Sequence, residues 1–421
     1  MIKRIAALIA IFLCTSAAWV VLGVTIFART ESPESDQLRS RVASSWGTAQ
    51  TQTPPTASYL RVVEEKVGEE KKSWDEHGNP LVTGMTSSKV LKRTEVVPLA
   101  LEGSKVDVSF DLKQRQKGLL WYRTYAVVFG GDYSFTNSSG QDQLVTFKVP
   151  FPSQEAIYDD LTMTVDNRPL TVKNESNSAA GALLVAAGKT VILHAAYRSQ
   201  GLDSWRYNFG EGISQIHNLD LAMHTNFNDI NFPEHSLSPT TKSETARGWD
   251  LTWNYKNLVS GYGIGMEMPE KLQPGPLAGK ISFFAPVSLF FFFFLMFIIT
   301  TVRGINLHPM NYFFLAAAFF AFHLLLAYLA DHISIHLAFV ICSAVSIFLV
   351  ISYLRLVVGI RFAAIEAGGA QLIYLVLFSY AFFFKGFTGL AITIGSIVTL
   401  FVVMQMTGRI NWEEKFARFK P

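Results

Sequence analysis

Long apolar stretches fill the C-terminal part of the chain, and one more lies at its start. The hydrocarbon core of a bilayer is about 30 Å thick, so a helix needs around 20 apolar residues to cross it. Each stretch reaches that length, and charged or turn-forming residues separate one from the next. The pattern predicts six membrane-spanning helices, over Ile5–Phe27, Ile281–Val302, Met310–Ala330, Ile333–Leu354, Phe362–Phe384 and Phe387–Met406.

The first apolar stretch follows two basic residues, as the apolar region of a signal peptide does. A cleaved signal peptide usually has an apolar region of only about 7–15 residues. The stretch Ile5–Phe27 is longer, and Leu13 before Cys14 is a poor context for lipoprotein cleavage. We therefore expect an uncleaved signal anchor over residues 1–29, with a cleaved signal peptide as the alternative.

Between the first and second spans, apolar and polar positions alternate with period two along many short segments. Alternating segments bounded by Gly, Asn and Asp turns are typical of antiparallel sheets. Because no helical periods come between them, the segments predict a sandwich-like domain. The predicted strands are Val106–Leu112, Trp121–Val128, Gln143–Val149, Leu161–Val165, Thr190–Tyr197, Trp205–Phe209, Leu219–His224 and Trp249–Tyr255.

Three segments ahead of these strands have other patterns. Ser32–Gly47 places apolar residues four positions apart, which predicts a short amphipathic helix that continues the anchor. Gln50–Ala57 contains two adjacent prolines and predicts a break in regular structure. Glu64–Asp75 is rich in charges of both signs, and we expect a solvated loop or the tip of a hairpin.

Composition divides the chain in the same way. Hydrophobic residues make up 50% of the 421 residues and charged residues only 16%, against roughly 25% charged residues in soluble proteins. Only six charged residues lie between Ile281 and Gly408. This distribution excludes both a wholly soluble and a purely membranous protein. A net charge of +3 without a basic stripe gives no support for nucleic-acid binding.

These patterns together predict a membrane protein with six transmembrane helices and a large, mainly antiparallel β domain. The predicted domains are the signal anchor over 1–29, a β-rich domain over 30–280, a five-helix transmembrane domain over 281–408 and a tail over 409–421. The short segments between spans fix the orientation, because basic residues are enriched on the cytoplasmic side. We expect both termini in the cytoplasm and residues 28–280 in the periplasm.

The predicted β domain contains no catalytic motif. It lacks the G-x-S-x-G elbow, the H-E-x-x-H helix and the C-x-x-C pair. We therefore expect no catalytic, cofactor-binding or metal-binding site, and a protein that is not an enzyme.

Ionisable residues inside spans are candidates for function, because burying them in hydrocarbon is costly. His323 lies mid-span, and we expect it to bond to a neighbouring helix, with a proton relay as the alternative. Asp331, His332 and His336 cluster at one helix end, but two ligands in so short a loop converge poorly on a metal. Asp331 is expected to cap the next helix. Glu366 lies near the cytoplasmic interface, where it pairs or stays hydrated.

Several motifs along the chain occur in an order that resembles the CreD family of bacterial inner-membrane proteins. The strongest is similar to the family's histidine–proline helix entry and its acidic–His–Ile hairpin: His308–Tyr312, Leu329–Ile333 and His336–Ala338. Weaker similarities are Ser45–Gly47 with Gln50, Tyr122–Tyr125 and Arg409–Trp412. Lys385–Gly386 and Asn411 depart from the family pattern, which indicates a divergent branch.

The resemblance implies an inner-membrane protein linked to envelope integrity, envelope stress and tolerance of certain colicins. We expect a non-enzymatic protein without a cofactor, whose partners are the lipid bilayer and an unidentified envelope protein or ligand. A transporter or channel for an ion or amphiphile is the alternative, and an envelope enzyme without a recognised motif is the second. The candidate functional residues are His308, His323, Asp331, His332, His336 and Glu366.

Overall fold

The computed structural model describes residues 2–30, 33–74, 80–175, 177–210, 212–384 and 386–408. These residues form two compact units. The helical unit takes in the described parts of Met1–Arg39, Gln116–Trp121 and Lys271–Pro421. The sandwich unit takes in those of Ser40–Arg115 and Tyr122–Glu270. Three short pieces of the predicted β-rich segment over 30–280 therefore belong to the helical unit: the described residues of 30–39, and 116–121 and 271–280.

Among the described residues, six helices are long and apolar enough to cross a membrane, as predicted. The second of them begins at Pro274 rather than at Ile281, because proline suits the first helical turn, where its missing N–H is not needed. The helices are α1 (Ile2–Thr30), α2 (Pro33–Trp46), α3 (Pro274–Arg303), α4 (Pro309–Leu329), α5 (Ile335–Val357), α6 (Phe362–Phe383) and α7 (Thr388–Thr407). The short helix α2 lies within the segment Ser32–Gly47, where a short helix was predicted.

Local chemistry sets the helix ends. α3 ends at Gly304, which has φ 70° and bonds back to carbonyl oxygens of the last turn, as a glycine C-cap does. α5 begins after Ser334, whose hydroxyl accepts a hydrogen bond from the N–H of Leu337 at 3.4 Å. The expectation that Asp331 caps α5 is wrong, because residues 330–332 form a turn of their own before the helix begins.

α6 contains two π-helical stretches and ends in a 3-10 turn over Ala381–Phe383. Phe362–Ala367 and Leu372–Leu377 are wound as π-helix, with the α-helical Gly368–Gln371 between them. Such π-helical turns are rare and occur frequently at functional sites. Glu366 lies in the first π-helical turn and Gln371 directly precedes the second, so the irregular winding coincides with the polar side chains of this helix.

Aromatic side chains fill the interior of the helical unit. Phe292, Phe319 and Phe322 are at most 1% exposed. The rings of Phe292 on α3 and Phe319 on α4 lie 4.7 Å apart, within the range of favourable aromatic pairs. Phe290, by contrast, is 50% exposed on the outer face of α3. The phenylalanine-rich stretch of α3 therefore serves both the interior and the surface that faces lipid.

The described strands belong to the sandwich unit, except for the hairpin β5-β6, most of which belongs to the helical unit. They are β1 (Gln50–Gln52), β2 (Thr56–Trp74), β3 (Pro80–Leu99), β4 (Leu101–Leu112), β5 (Arg115–Lys117), β6 (Leu120–Tyr122), β7 (Thr124–Thr136), β8 (Gln143–Pro150), β9 (Tyr158–Val165), β10 (Arg168–Pro169), β11 (Lys173–Glu175), β12 (Ser178–Val185), β13 (Thr190–Leu202), β14 (Ser204–Tyr207), β15 (Ser214–Thr225), β16 (Thr241–Glu244), β17 (Trp249–Ser260) and β18 (Ile264–Glu267). Each predicted strand overlaps one or two of them.

Two large sheets dominate the sandwich unit. One has eight strands in the order β10-β9-β13-β7-β4-β15-β17-β16, and the other has five in the order β11-β12-β8-β2-β3. A small sheet, β1-β14-β18, and the hairpin β5-β6 complete the set. The pairing is antiparallel except between β15 and β4 and between β1 and β14. The predicted mainly antiparallel β domain is confirmed.

The core of the sandwich unit lies between the two large sheets. Val106, Val108 and Phe110 alternate along β4 and are at most 4% exposed, because every second side chain of a strand points to the same face. Phe135 of the eight-stranded sheet and Phe147 of the five-stranded sheet place their ring centroids 6.0 Å apart. The period-two pattern of the sequence thus marks the buried face of each sheet.

Two predictions for the start of this unit are confirmed in part. The predicted break lies between β1, which ends at Gln52, and β2, which begins at Thr56. Gln50 itself begins β1, and its buried amide donates to Ser199 and to the carbonyl oxygen of Gln200 on β13.

For the charge-rich segment from Glu64 the hairpin alternative is confirmed and the loop alternative is wrong, because Glu64 lies in strand β2, which pairs with β3 as far as Trp74. The Glu64 carboxylate is 3.3 Å from the ammonium of Lys92 on β3. Opposite charges across a strand pair stabilise it by roughly 0.2–1 kcal/mol. A charge-rich segment is therefore compatible with a hairpin; Asp75 lies outside the described residues.

Candidate functional site

A cleft at the loop between α4 and α5 brings three of the six candidate residues together. Asp331, His332 and His336 line it, and all its walls belong to the helical unit. Its volume is about 440 Å³, within the roughly 300–1,000 Å³ typical of small-molecule sites. The other lining residues are Gln116, Trp121, Lys271, Leu272, Pro274, Ala330, Ile333, Ser334 and Ile335.

Gln273, just before α3, holds one wall of this cleft in place. Its amide nitrogen donates to the carbonyl oxygen of Trp121 and its amide oxygen accepts from the N–H of Trp121, both at 2.8 Å. The ammonium of Lys271 lies 4.0 Å from the centroid of the Trp121 ring, a cation–π contact worth about 0.5–1 kcal/mol at an exposed site. Sequence reasoning missed Lys271 and Gln273, because no local pattern links them to a tryptophan so distant in the chain.

The cleft offers hydrogen-bonding groups and both signs of charge. Asp331, His332 and His336 are exposed, and the His336 ring also packs on Phe383 with centroids 5.1 Å apart. Within the described ranges, no group of three His, Cys, Asp or Glu side chains is arranged to hold a metal ion. With Lys271 on one wall and Asp331 on another, the cleft is suited to a polar ligand that carries both charges.

His308 lies at the other end of α4 from the cleft. Its ring Nδ1 accepts a hydrogen bond from the N–H of Met310 at 3.2 Å, and it is the N-cap of α4. Because α4 has 21 residues, its two ends are about 32 Å apart at 1.5 Å per residue. The histidine–proline pair therefore starts a helix, and His308 takes no part in the cleft.

His323 is buried in the middle of α4 and has no hydrogen-bond partner among the described residues. Its side chain is 1% exposed and both ring nitrogens are unbonded. The expected hydrogen bond to a neighbouring helix is therefore absent. Instead the ring meets Trp19 of α1 edge to face, with centroids 6.0 Å apart, and the indole nitrogen of Trp19 is unbonded too. Unpartnered polar groups in an apolar interior are costly.

Glu366 forms an ion pair with Arg303, at the end of α3. The Glu366 side chain is 15% exposed and that of Arg303 is 56% exposed. Pairing was expected for Glu366, but its neighbour in sequence, Arg361, is not the partner. The contact ties the first π-helical turn of α6 to the C-terminal end of α3, where a cation also suits the helix dipole.

Hydrogen bonds between helices use most of the other polar side chains in the interior. The Gln371 amide donates to the Ser346 hydroxyl at 2.7 Å, and Ser346 donates to the carbonyl oxygen of Ala318 at 2.8 Å. The Tyr374 hydroxyl donates to Thr399 at 2.8 Å. Bonds of this kind in membranes are worth about 0.6 kcal/mol on average. They join α4, α5, α6 and α7 into one bundle.

Two of the weaker family-like motifs have structural roles in the sandwich unit, and the third, Arg409–Trp412, lies outside the described residues. The indole of Trp46 donates to the carbonyl oxygen of Tyr125 at 3.2 Å. Gly47 has φ 109°, and a Cβ there would lie 2.4 Å from the carbonyl oxygen of Gln200, so only glycine fits. Gln50 donates to the same carbonyl oxygen at 2.9 Å. These residues fix the end of α2 to the sheets.

A second group of ionisable residues lies on the eight-stranded sheet. The His224 Nδ1 is 2.7 Å from an Asp250 oxygen and its Nε2 is 3.3 Å from an Asp107 oxygen. Burial lowers the pKa of His224, but the hydrogen bonds and charges of both aspartates outweigh burial and raise the pKa above its usual value. The imidazole thereby connects β17, β15 and β4.

We expect the sandwich unit to lose stability in a way that depends on His224 as pH rises from about 6.5 through the raised folded-state pKa of this residue. A raised folded-state pKa gives stability that is complete below the unfolded pKa of about 6.5 and is lost as pH rises through the folded value. Thermal unfolding of the purified chain, followed by the β signal in circular dichroism, measures this loss. It should shrink in His224→Gln and persist in His217→Gln, an exposed control; equal effects of both variants would refute the assignment.

Two solved structures are similar to parts of this chain. One is a nutrient-binding protein from Legionella pneumophila, with 11% identity and a TM-score of 0.34, over 46% of this chain and 71% of that chain. The other is an M1 zinc metallopeptidase from Deinococcus radiodurans, with 13% identity and a TM-score of 0.22, over 40% of this chain and 42% of that chain. None of the curated proteins matches the chain in sequence.

A family match covers nearly the whole sequence. The family is that of the inner membrane protein CreD, and the match runs over residues 1–413. It includes the histidine–proline start of α4, the α4–α5 loop and the sandwich unit. The resemblance inferred from the sequence motifs is confirmed, and the chain belongs to the CreD family of inner membrane proteins.

Proposed function

We propose that this protein is a non-enzymatic integrity protein of the bacterial cell envelope. In this proposal the sandwich unit lies in the periplasm and binds an envelope protein or ligand, and the helices anchor it with both termini in the cytoplasm. The observation that supports it is the combination of CreD family membership with six apolar helices and a separate sandwich unit.

The polar contacts of the helical unit favour an anchor over a reaction centre. Gln371, Ser346 and Tyr374 are used between helices, and Glu366 is paired with Arg303. A transporter is expected to place polar groups near mid-membrane in several helices, where they meet the substrate. The polar groups named here are instead bonded to other helices. The proposed role links the protein to envelope stress and to colicin tolerance.

Deleting the gene tests this function. The deletion strain is expected to become more sensitive to detergents and to change its response to colicins, because the proposed envelope contact is lost. Wild-type protein supplied from a plasmid should restore both phenotypes, with immunoblots of the membrane fraction as the control for insertion. Unchanged sensitivity under every envelope stress applied would contradict the proposal.

A transporter or channel for an ion or amphiphile is the second candidate, supported by the unbonded ring nitrogens of His323 beside the unbonded indole of Trp19. Vesicles reconstituted with the purified chain would show flux that falls in His323→Phe, which keeps an aromatic ring and removes the nitrogens. Absence of flux for every ion and amphiphile tried eliminates this candidate.

A further inference from the structure

A slot lies along the contact between α1 and α3, which we call the seam. It is in the half of the seam near the start of α3. Its volume is about 230 Å³. Among the described residues, its lining is glycine and apolar side chains together with one lysine: Gly23, Val24, Gly279, Lys280, Phe283 and Phe284. All these residues belong to the helical unit.

Close backbone contact shapes the slot. A Cβ on Gly23 would lie 2.6 Å from the backbone nitrogen and 2.8 Å from the Cα of Phe283, so the two helix backbones touch at this point. Phe283 and Phe284 then lie beside the contact with 46% and 42% of their surface exposed. Val24 of α1 is 50% exposed on the other side. The small residues at the contact leave a gap between these larger ones.

The position of Lys280 sets the level of the slot in the bilayer. Lys280 is exposed and directly precedes the apolar stretch that starts at Ile281. Phe283 and Phe284 follow it three and four residues later, and residues at this spacing share one helix face. Within the part of the chain that the structure describes, no carboxylate pairs with Lys280. The ammonium of Lys280 is thus expected at the level of the lipid headgroups. The apolar part of the slot lies about one helical turn deeper in the bilayer.

We propose that this slot binds an anionic diacyl phospholipid, with the lipid phosphate on Lys280 and an acyl chain against Val24, Phe283 and Phe284. The charge of the lysine selects the anionic headgroup, and the apolar lining selects the chain. This lipid site does not depend on the proposed function of the sandwich unit.

A second slot on the same seam provides an internal comparison. It also has a volume of about 230 Å³, and its lining is entirely aliphatic or phenylalanine: Ile5, Leu8, Ile9, Phe12, Phe290, Phe293, Phe294 and Phe297. None of the described side chains that line it is a cation. The described lining has room for an acyl chain, and the described lysine that could prefer an anionic headgroup lines the slot at Lys280.

Native mass spectrometry of the full-length chain in mild detergent tests the site with three ligands. Phosphatidylglycerol is expected to bind about fivefold more tightly than phosphatidylcholine, the preference that one lysine near a membrane surface supplies. Glycerol 3-phosphate, which has the phosphate without acyl chains, should bind far more weakly than either lipid. Equal binding of the two lipids, or glycerol phosphate binding as tightly as lipid, would overturn the proposal.

Matched variants separate the headgroup from the chain. Lys280→Gln should abolish the preference for phosphatidylglycerol, whereas Lys256→Gln, an exposed lysine of β17, should keep it. Val24→Trp fills the slot and should weaken both lipids, whereas Val21→Trp, on the same helix and 65% exposed at that position, should not. If Lys280→Gln keeps the preference, or if the two tryptophan variants behave alike, the site is not where we place it.

Discussion

Replacing Trp205 with alanine is expected to lower the free energy of unfolding of the sandwich unit by about 3–5 kcal/mol, the usual cost of removing a buried large aromatic side chain. Trp205 is 0% exposed. Its ring centroid lies 5.7 Å from that of Phe110 and 6.3 Å from that of Phe129, so Trp205 packs β14 against strands β4 and β7. No neighbouring side chain can fill so large a cavity without disturbing these strands.

Denaturant unfolding of the full-length chain, followed by the β signal in circular dichroism, measures this effect. Val259→Ala is the matched control, because Val259 is in the same unit and 65% exposed. Its effect should stay within about 0.5 kcal/mol, as for most surface substitutions. If Trp205→Ala unfolded at the same denaturant concentration as the control, Trp205 would not be at the centre of the core.

Replacing Arg303 with methionine is expected to destabilise the helical unit by roughly 1–3 kcal/mol, between the values for an exposed and for a fully buried ion pair. The intermediate value applies because Arg303 is 56% exposed, whereas Glu366 is only 15% exposed. The variant leaves the Glu366 carboxylate without its counter-charge at the first π-helical turn of α6. Unfolding in sodium dodecyl sulfate, followed by the helical circular-dichroism signal, measures the loss.

The double variant Arg303→Met/Glu366→Gln provides the decisive comparison. Because the carboxylate is then gone as well, the double variant should regain most of the stability lost in the single variant. Arg361→Met is the control, since Arg361 is exposed and Glu366 pairs with Arg303 rather than with it. Equal losses in the single and double variants would show that Arg303 acts independently of Glu366.

Elements with a strong repeating pattern were predictable from the sequence. The spans follow from apolar length alone, and the alternation of Val106, Val108 and Phe110 marks the buried face of β4. Strand β2 was not predictable at Glu64, because its charges favour solvent until the partner Lys92 on β3 is known. The cap of α5 was assigned to Asp331 rather than Ser334, because sequence does not show that a turn precedes the helix.

The candidate site was predictable only where its residues are close in sequence. Asp331, His332 and His336 meet in the cleft because a single loop and the first turn of α5 carry them. The other wall depends on Gln273 and Lys271 meeting Trp121. That contact is a consequence of tertiary packing, and no spacing rule on one sequence reveals it.

The proposal that the sandwich unit faces the periplasm rests on charge bias, and single-cysteine labelling tests it most directly. Both native cysteines are first removed with Cys14→Ser and Cys342→Ala, and one new site is then added as Val259→Cys or Arg418→Cys. In spheroplasts treated with a membrane-impermeant maleimide, Val259→Cys should be labelled at once and Arg418→Cys only after the membrane is lysed. Labelling of Arg418→Cys in intact spheroplasts, with Val259→Cys protected, would contradict the account.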